Sequence, residues 1–159
     1  MADMLNDGNI KCTFVPAIAN TAAPTTTELA AGTALECLIT ADGFEPDASE
    51  DKVSVPKLCE TTTAEAPGRS TYHVKLTMVR KTLVSEDVAW STLLRGTAGF
   101  LVFRYGVSVA TAYASTQKVQ VWPGTFGERQ PQKPEMNGAT KFMSEFYISS
   151  QPKMDAVIA

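Results

Sequence analysis

With 159 residues, 44% of them hydrophobic and 19% charged, the chain carries enough apolar material to build one folded domain over 1–159 without disulfide staples. Fourteen basic against seventeen acidic residues leave a formal charge of −3, which excludes a general affinity for nucleic-acid phosphates short of a local basic patch. The start, MADMLNDGN, lacks the basic and apolar regions of a secretory signal, and no apolar run approaches the roughly 20 residues of a membrane span, so a soluble protein made in the cytoplasm is expected.

After a mobile start, Ile10, Cys12 and Phe14 alternate with Lys11 and Thr13, predicting a strand over 10–18 with one buried face. Residues 20–27, NTAAPTTT, have no apolar period and read as an exposed connection. A second strand is expected over Leu35–Thr40. Residues 41–71 form the least regular part of the chain, with three of the nine prolines and the acidic cluster Glu45, Asp47, Glu50 and Asp51. This reads as an irregular insertion, functional or disordered, in which Val53, Val55 and Cys59 allow at most a short edge strand. Tyr72 to Lys81 is the clearest strand, with Tyr72, Val74, Leu76 and Met78 on one face and His73, Lys75 and Thr77 on the other. Ser85 as N-cap, Glu86 and Asp87 in the first turn, and Val88, Trp90, Leu93 and Leu94 at helical spacing predict a helix of about ten residues closed by Gly96. The uninterrupted Phe100-Leu101-Val102-Phe103 reads as a strand covered on both faces. Lys118 to Val121 opens a further strand that Pro123 and Gly124 bend or end. A polar loop over 130–138 precedes a strand at Lys141–Ser150 with Phe142, Phe146 and Ile148 inward, and the terminal DAVIA adds a last strand before a mobile end. Six to eight strands and one helix predict a mostly β protein, a β-sandwich or open β-barrel with one short flanking α-helix.

No catalytic or cofactor-binding pattern emerges from these residues. His73, the single histidine, has no G-x-S-x-G elbow to serve and reads as a polar-face strand residue. Cys12, Cys37 and Cys59 are odd in number and widely spaced, which suits three buried free thiols in a reducing compartment; with His73 they lack the close ligand pairs of a structural zinc site. Arg95-Gly96-Thr97-Ala98-Gly99 precedes a strand rather than linking strand to helix, so it is no phosphate loop. The Glu45–Asp51 carboxylates lack EF-hand spacing and read as a solvated acidic loop. Trp90 reads as helix packing, and Trp122 as a core cap or an interface residue.

A series of short segments runs in a recognisable order over roughly 35–159: Leu35-Glu36-Cys37, Ile39-Thr40-Ala41-Asp42-Gly43-Phe44, Lys57-Leu58-Cys59-Glu60-Thr61, and Ala89-Trp90 with Leu93-Leu94 leading into Arg95 through Val102. It continues through Val119-Gln120-Val121-Trp122-Pro123, Gly127-Glu128, Lys141-Phe142, and Gln151-Pro152 to Asp155-Ala156-Val157-Ile158-Ala159. This order resembles the major tail protein, or tail tube protein, of long-tailed bacteriophages, particularly those infecting actinobacteria. The resemblance implies a structural virion protein with no cofactor, metal or enzymatic activity, assembled in the host cytoplasm. Six copies would close a ring, and rings would stack into a hollow tube around a tape-measure protein, meeting tail terminator or distal tail proteins at its ends. Genomic DNA would pass through the lumen without specific binding, and the insertion at 41–71 and the termini would contact other copies. Two further readings stand beside it: another virion component such as a tail terminator or decoration protein, which would not stack, and a small-molecule-binding β-barrel, which would need an apolar cavity.

Overall fold

The structure, a computed structural model, describes residues 2–159. Its elements are β1 (Ile10–Val15), α1 (Thr26–Ala30), β2 (Thr33–Ala34), β3 (Ile39–Ser54), β4 (Glu65–Val79), α2 (Val88–Thr92), β5 (Ala98–Tyr105), β6 (Lys118–Phe126), β7 (Gln130–Pro131), β8 (Lys141–Ile148) and β9 (Lys153–Val157). Every pairing is antiparallel, in the order β2-β1-β5-β6-β8-β4-β3, with β7 added to β8 and β9 to β6. The fold is therefore mostly β, as expected: an open sheet flanked by two short helices rather than one.

The sheet curls. β3 and β5 lie four strand steps apart, which in a flat sheet would separate them by about 19 Å. Yet the rings of Phe44 on β3 and Phe103 on β5 sit edge to face with centroids 4.8 Å apart. Inside the curl, Phe14, Leu101, Phe103, Trp122, Phe126, Phe142 and Phe146 join Val74, Leu76 and Met78 in one buried cluster. Alternation makes this possible: Val74, Leu76 and Met78 are fully buried, while His73 and Lys75 on the other face stay wet. The outer face of β1, β5 and β6 carries a second cluster, in which Val15, Val102, Val119 and Val121 are covered by Leu29 of α1 and by Ala156 and Ile158 at the C-terminus. This two-sided cover explains the continuous apolar run of β5.

Several local expectations are corrected. Residues 41–71 are irregular only over 55–64: on either side β3 and β4 pair from Phe44↔Leu76 to Ser54↔Glu65 as a long hairpin. The strand was hidden because period-two alternation appears only when one face is buried. β3 is an edge strand and exposed from Asp47 onward, so nothing imposes the pattern. Pro46 is tolerated there for the same reason, since an edge position does not demand a second ladder of N–H donors. The strand expected over Leu35–Thr40 is instead a turn that follows the two-residue β2, carries buried Leu35 and Leu38, and leads into the start of β3. The exposed connection at 20–27 ends in α1, whose capping box has the Thr25 side chain accepting from Glu28 N while Glu28 accepts from Thr25 N.

The predicted ten-residue helix shrinks to the five residues of α2. Its N-cap is Asp87, not Ser85, and the backbone leaves the helical region at Asp87 (φ −84°, ψ 46°) and again at Leu93 (φ −89°, ψ 65°). Of the expected stripe only Leu93 is fully buried, Val88 and Trp90 are half-buried and Leu94 is exposed, while Ala89, outside it, is buried. Gly96 does take the left-handed turn, at φ +88°. β6 also runs straight through Pro123 and Gly124. Along its second edge β6 pairs with β9 over Lys118–Val121 and with β8 over Gly124–Phe126, and Pro123 sits where the partner changes. The C-terminus, expected to be mobile, is tied down: Val157, Ile158 and Ala159 N donate to Ala22, Gln117 and Pro24 O. Cys12 is buried as expected, whereas Cys37 and Cys59 are exposed, one in the turn before β3 and the other at the hairpin tip. Trp122 is a core residue, its Nε1 donating to Gln120 Oε1 at 3.2 Å.

Candidate assembly surfaces

His73 lies on the wet face of β4 as expected, its Nδ1 3.5 Å from Glu145 Oε1. The groove around the pair is lined by Glu45, Pro46, Asp47, His73, Lys75 and Glu145, which offers acids and bases but no hydroxyl or thiol to activate. The Cys12 thiol is pushed far up by burial and, secondarily, by the Glu36 carboxylate, so it stays neutral and inert. Among the described residues no three His, Cys, Asp or Glu side chains gather at metal-binding distance, and no helix is long and apolar enough to cross a membrane.

What the molecule does present is unpartnered β-structure. β4 pairs with β8 only from His73 to Val79, so the Glu65–Tyr72 stretch of β4 and the facing part of β3 stand out from the body as a two-stranded ribbon. Such a two-stranded ribbon is marginal in water by itself. The β3–β4 hairpin as a whole is acidic: from Asp42 to Arg69 it carries seven carboxylates against three basic residues. Two of those bases are already matched, Lys52 Nζ to Glu65 at 2.8 Å and Lys57 Nζ to Glu60 at 3.3 Å. Behind it, the outward residues of β3, β4 and β8 form cross-strand rows, Glu45–Lys75–Glu145 and Asp47–His73–Tyr147, on a part of the sheet that α1 and β9 do not cover.

At the opposite side, α2 is held by charge and ring stacking. Asp87 accepts from Arg80 Nε at 2.8 Å and from Lys81 N at 3.1 Å. The guanidinium carbons of Arg80 and Arg129 lie 3.8 and 4.1 Å from the Trp90 ring centroid, and the same ring meets Phe142 edge-on at 5.0 Å. Trp90 is thus packing, as predicted, but by cation–π stacking that residues 80, 90 and 129 reveal only once the fold brings them together.

The role of a third arginine was missed. Arg104 closes β5 and is completely buried, with no carboxylate beside it. Its Nη1 donates to Ala112 O and Gln117 Oε1, and its Nη2 to Ser108 O and Thr111 O, so one side chain organises the loop from β5 to β6. The available signal was a charged residue ending an otherwise apolar strand. No curated protein matches the chain. The family model described as phage tail tube protein matches residues 1–159, the full length, so the chain belongs to the phage tail tube protein family.

Proposed function

We propose that this protein closes six-membered rings whose stacking makes the tail tube through which the phage genome leaves. At the family level the chain is a structural protein of the phage tail that assembles with copies of itself and with other tail proteins. The observation that supports the finer reading is the long open edge of β3 with its projecting ribbon, which no other element among the described residues covers. Side-by-side joining of open sheets around an axis would satisfy such edges and line a lumen with β-structure, while the ribbon bridges to the next ring. The wet face of β3, β4 and β8 is the surface best suited to that lumen. A net charge of −3 fits a conduit that lets DNA slide instead of holding it. A tape-measure protein would fill the lumen before DNA does, and terminator and distal tail proteins would cap the ends.

Electron microscopy of the purified chain at high concentration, with light scattering of a dilute sample, tests this. Hollow tubes with a six-fold ring repeat are the expected result. Closed rings that never stack would point to a terminator instead, and monomers at every concentration would count against self-assembly of this chain.

A further inference from the structure

We infer that the tip of the β3–β4 ribbon of one copy is a knob that enters a cavity at the start of β3 on a second copy. The inference rests on the stacked-ring reading and names its longitudinal contact. The cavity has a volume of about 270 Å³, with Ile10, Ile39, Phe44 and the buried Cys12 in its walls. Glu36 also lines it, with its Oε1 3.8 Å from Lys11 Nζ and its Oε2 buried without a hydrogen-bond partner among the described residues. An apolar hole beside an unsatisfied carboxylate oxygen calls for an apolar side chain accompanied by a cation.

The ribbon tip offers that combination. Val53, Val55 and Leu58 are 51%, 70% and 107% exposed, so three aliphatic side chains close together in sequence face solvent on an element with no core of its own. Lys57 precedes Leu58, and its pair with Glu60 joins two well-exposed groups, an interaction weak enough for the lysine to change partner. Asp7 and Glu36 at the cavity provide the opposite charge.

Geometry makes the contact intermolecular and directional. The cavity lies at the Ile39–Phe44 end of β3 and the knob beyond Ser54 at the other. At about 3.3 Å per strand residue, plus the turn, knob and hole of one copy stand on the order of 40 Å apart. A knob and a hole at opposite ends of one strand give a heterologous head-to-tail contact, which propagates as an open polymer with a repeat of about that length.

Two native cysteines provide the test. Cys59 adjoins Leu58 on the knob, Cys37 lines the cavity, and both are exposed. The full chain, assembled at high concentration, is treated with a short bismaleimide and run on a denaturing gel. Because each copy carries one thiol at each end of the contact, the expected product is a ladder of multimers that collapses to monomer in Cys37→Ser and in Cys59→Ser. Leu58→Asp should abolish assembly at concentrations where the parent chain assembles, with the melting temperature of the monomer unchanged. Tubes that form without any Cys37–Cys59 link, or that form equally well with Leu58→Asp, would overturn the knob-and-hole contact and leave the stacked-ring reading intact. Dimers that survive Cys37→Ser would also overturn it, since they would join tip to tip. Absence of both assembly and cross-links at every concentration would overturn the two readings together.

Discussion

Replacing Arg104 with methionine should destabilise the fold by about 3–5 kcal/mol. The side chain donates four hydrogen bonds of 2.7–3.1 Å, three to carbonyls of Ser108, Thr111 and Ala112 and one to Gln117 Oε1. Bonds from a charged group contribute about 1.5–3 kcal/mol each. Against this, holding a cation fully buried with no carboxylate costs several kcal/mol, which the methionine removes. The loop is partly exposed, so some of the abandoned carbonyls regain water, and the net falls in the range found for breaking a buried charged network. For a chain of 159 residues this corresponds to a melting-temperature drop of about 6–20 °C. Urea unfolding followed by tryptophan fluorescence gives the free energy, and limited proteolysis between Gly106 and Gln117 reports the loop directly. Arg104→Lys should fall between parent and methionine variant, because a single ammonium keeps the charge but cannot reach all four acceptors. A methionine variant within about 1 kcal/mol of the parent, or a loop no more easily cut, would refute the claim that the guanidinium organises this segment.

Phe103→Ala should cost about 3–5 kcal/mol in the same assay, since the ring is fully buried and stacks with Phe44 and Trp122 at the centre of the curl. Native protein at mildly alkaline pH should react with a thiol reagent at Cys37 and Cys59 and not at Cys12, whose thiol burial keeps protonated; the third thiol should appear only in denaturant. Glu50→Gln with Asp51→Asn lies on the exposed ribbon and should leave the unfolding free energy within about 0.5 kcal/mol of the parent while changing the salt dependence of assembly measured by light scattering.

Where burial is one-sided, the local pattern was sufficient. The alternation in Tyr72–Lys81 and Lys141–Ser150 and the doubly apolar run at Phe100–Phe103 each matched the faces that the fold buries. The class of the protein followed from these strands, and the family from the order of short segments along the chain. Patterns failed where tertiary contact alone sets the conformation. The ribbon of β3 and β4 is wet on both sides, so its sequence has no period to display, and its strands exist because each supplies the other's ladder. α2 is cut to five residues by Asp87, whose carboxylate is taken by Arg80 and Lys81. Pro123 stays inside a strand because β6 exchanges β9 for β8 at that point.

The surfaces offered for assembly divide in the same way. Glu45, Asp47, Glu50 and Asp51 were legible as an acidic, exposed group from composition alone. That Glu50 and Asp51 ride on a projecting edge, and that Leu58 and Lys57 stand at its tip about a strand's length from the cavity beside Glu36, depends on pairings between residues distant in sequence. Hydrophobic periodicity is a local record of which face meets a core, so it dictated the β class and the buried faces. The open edge, the curl and the position of the ribbon come from register and closure across the whole sheet, which no local window contains.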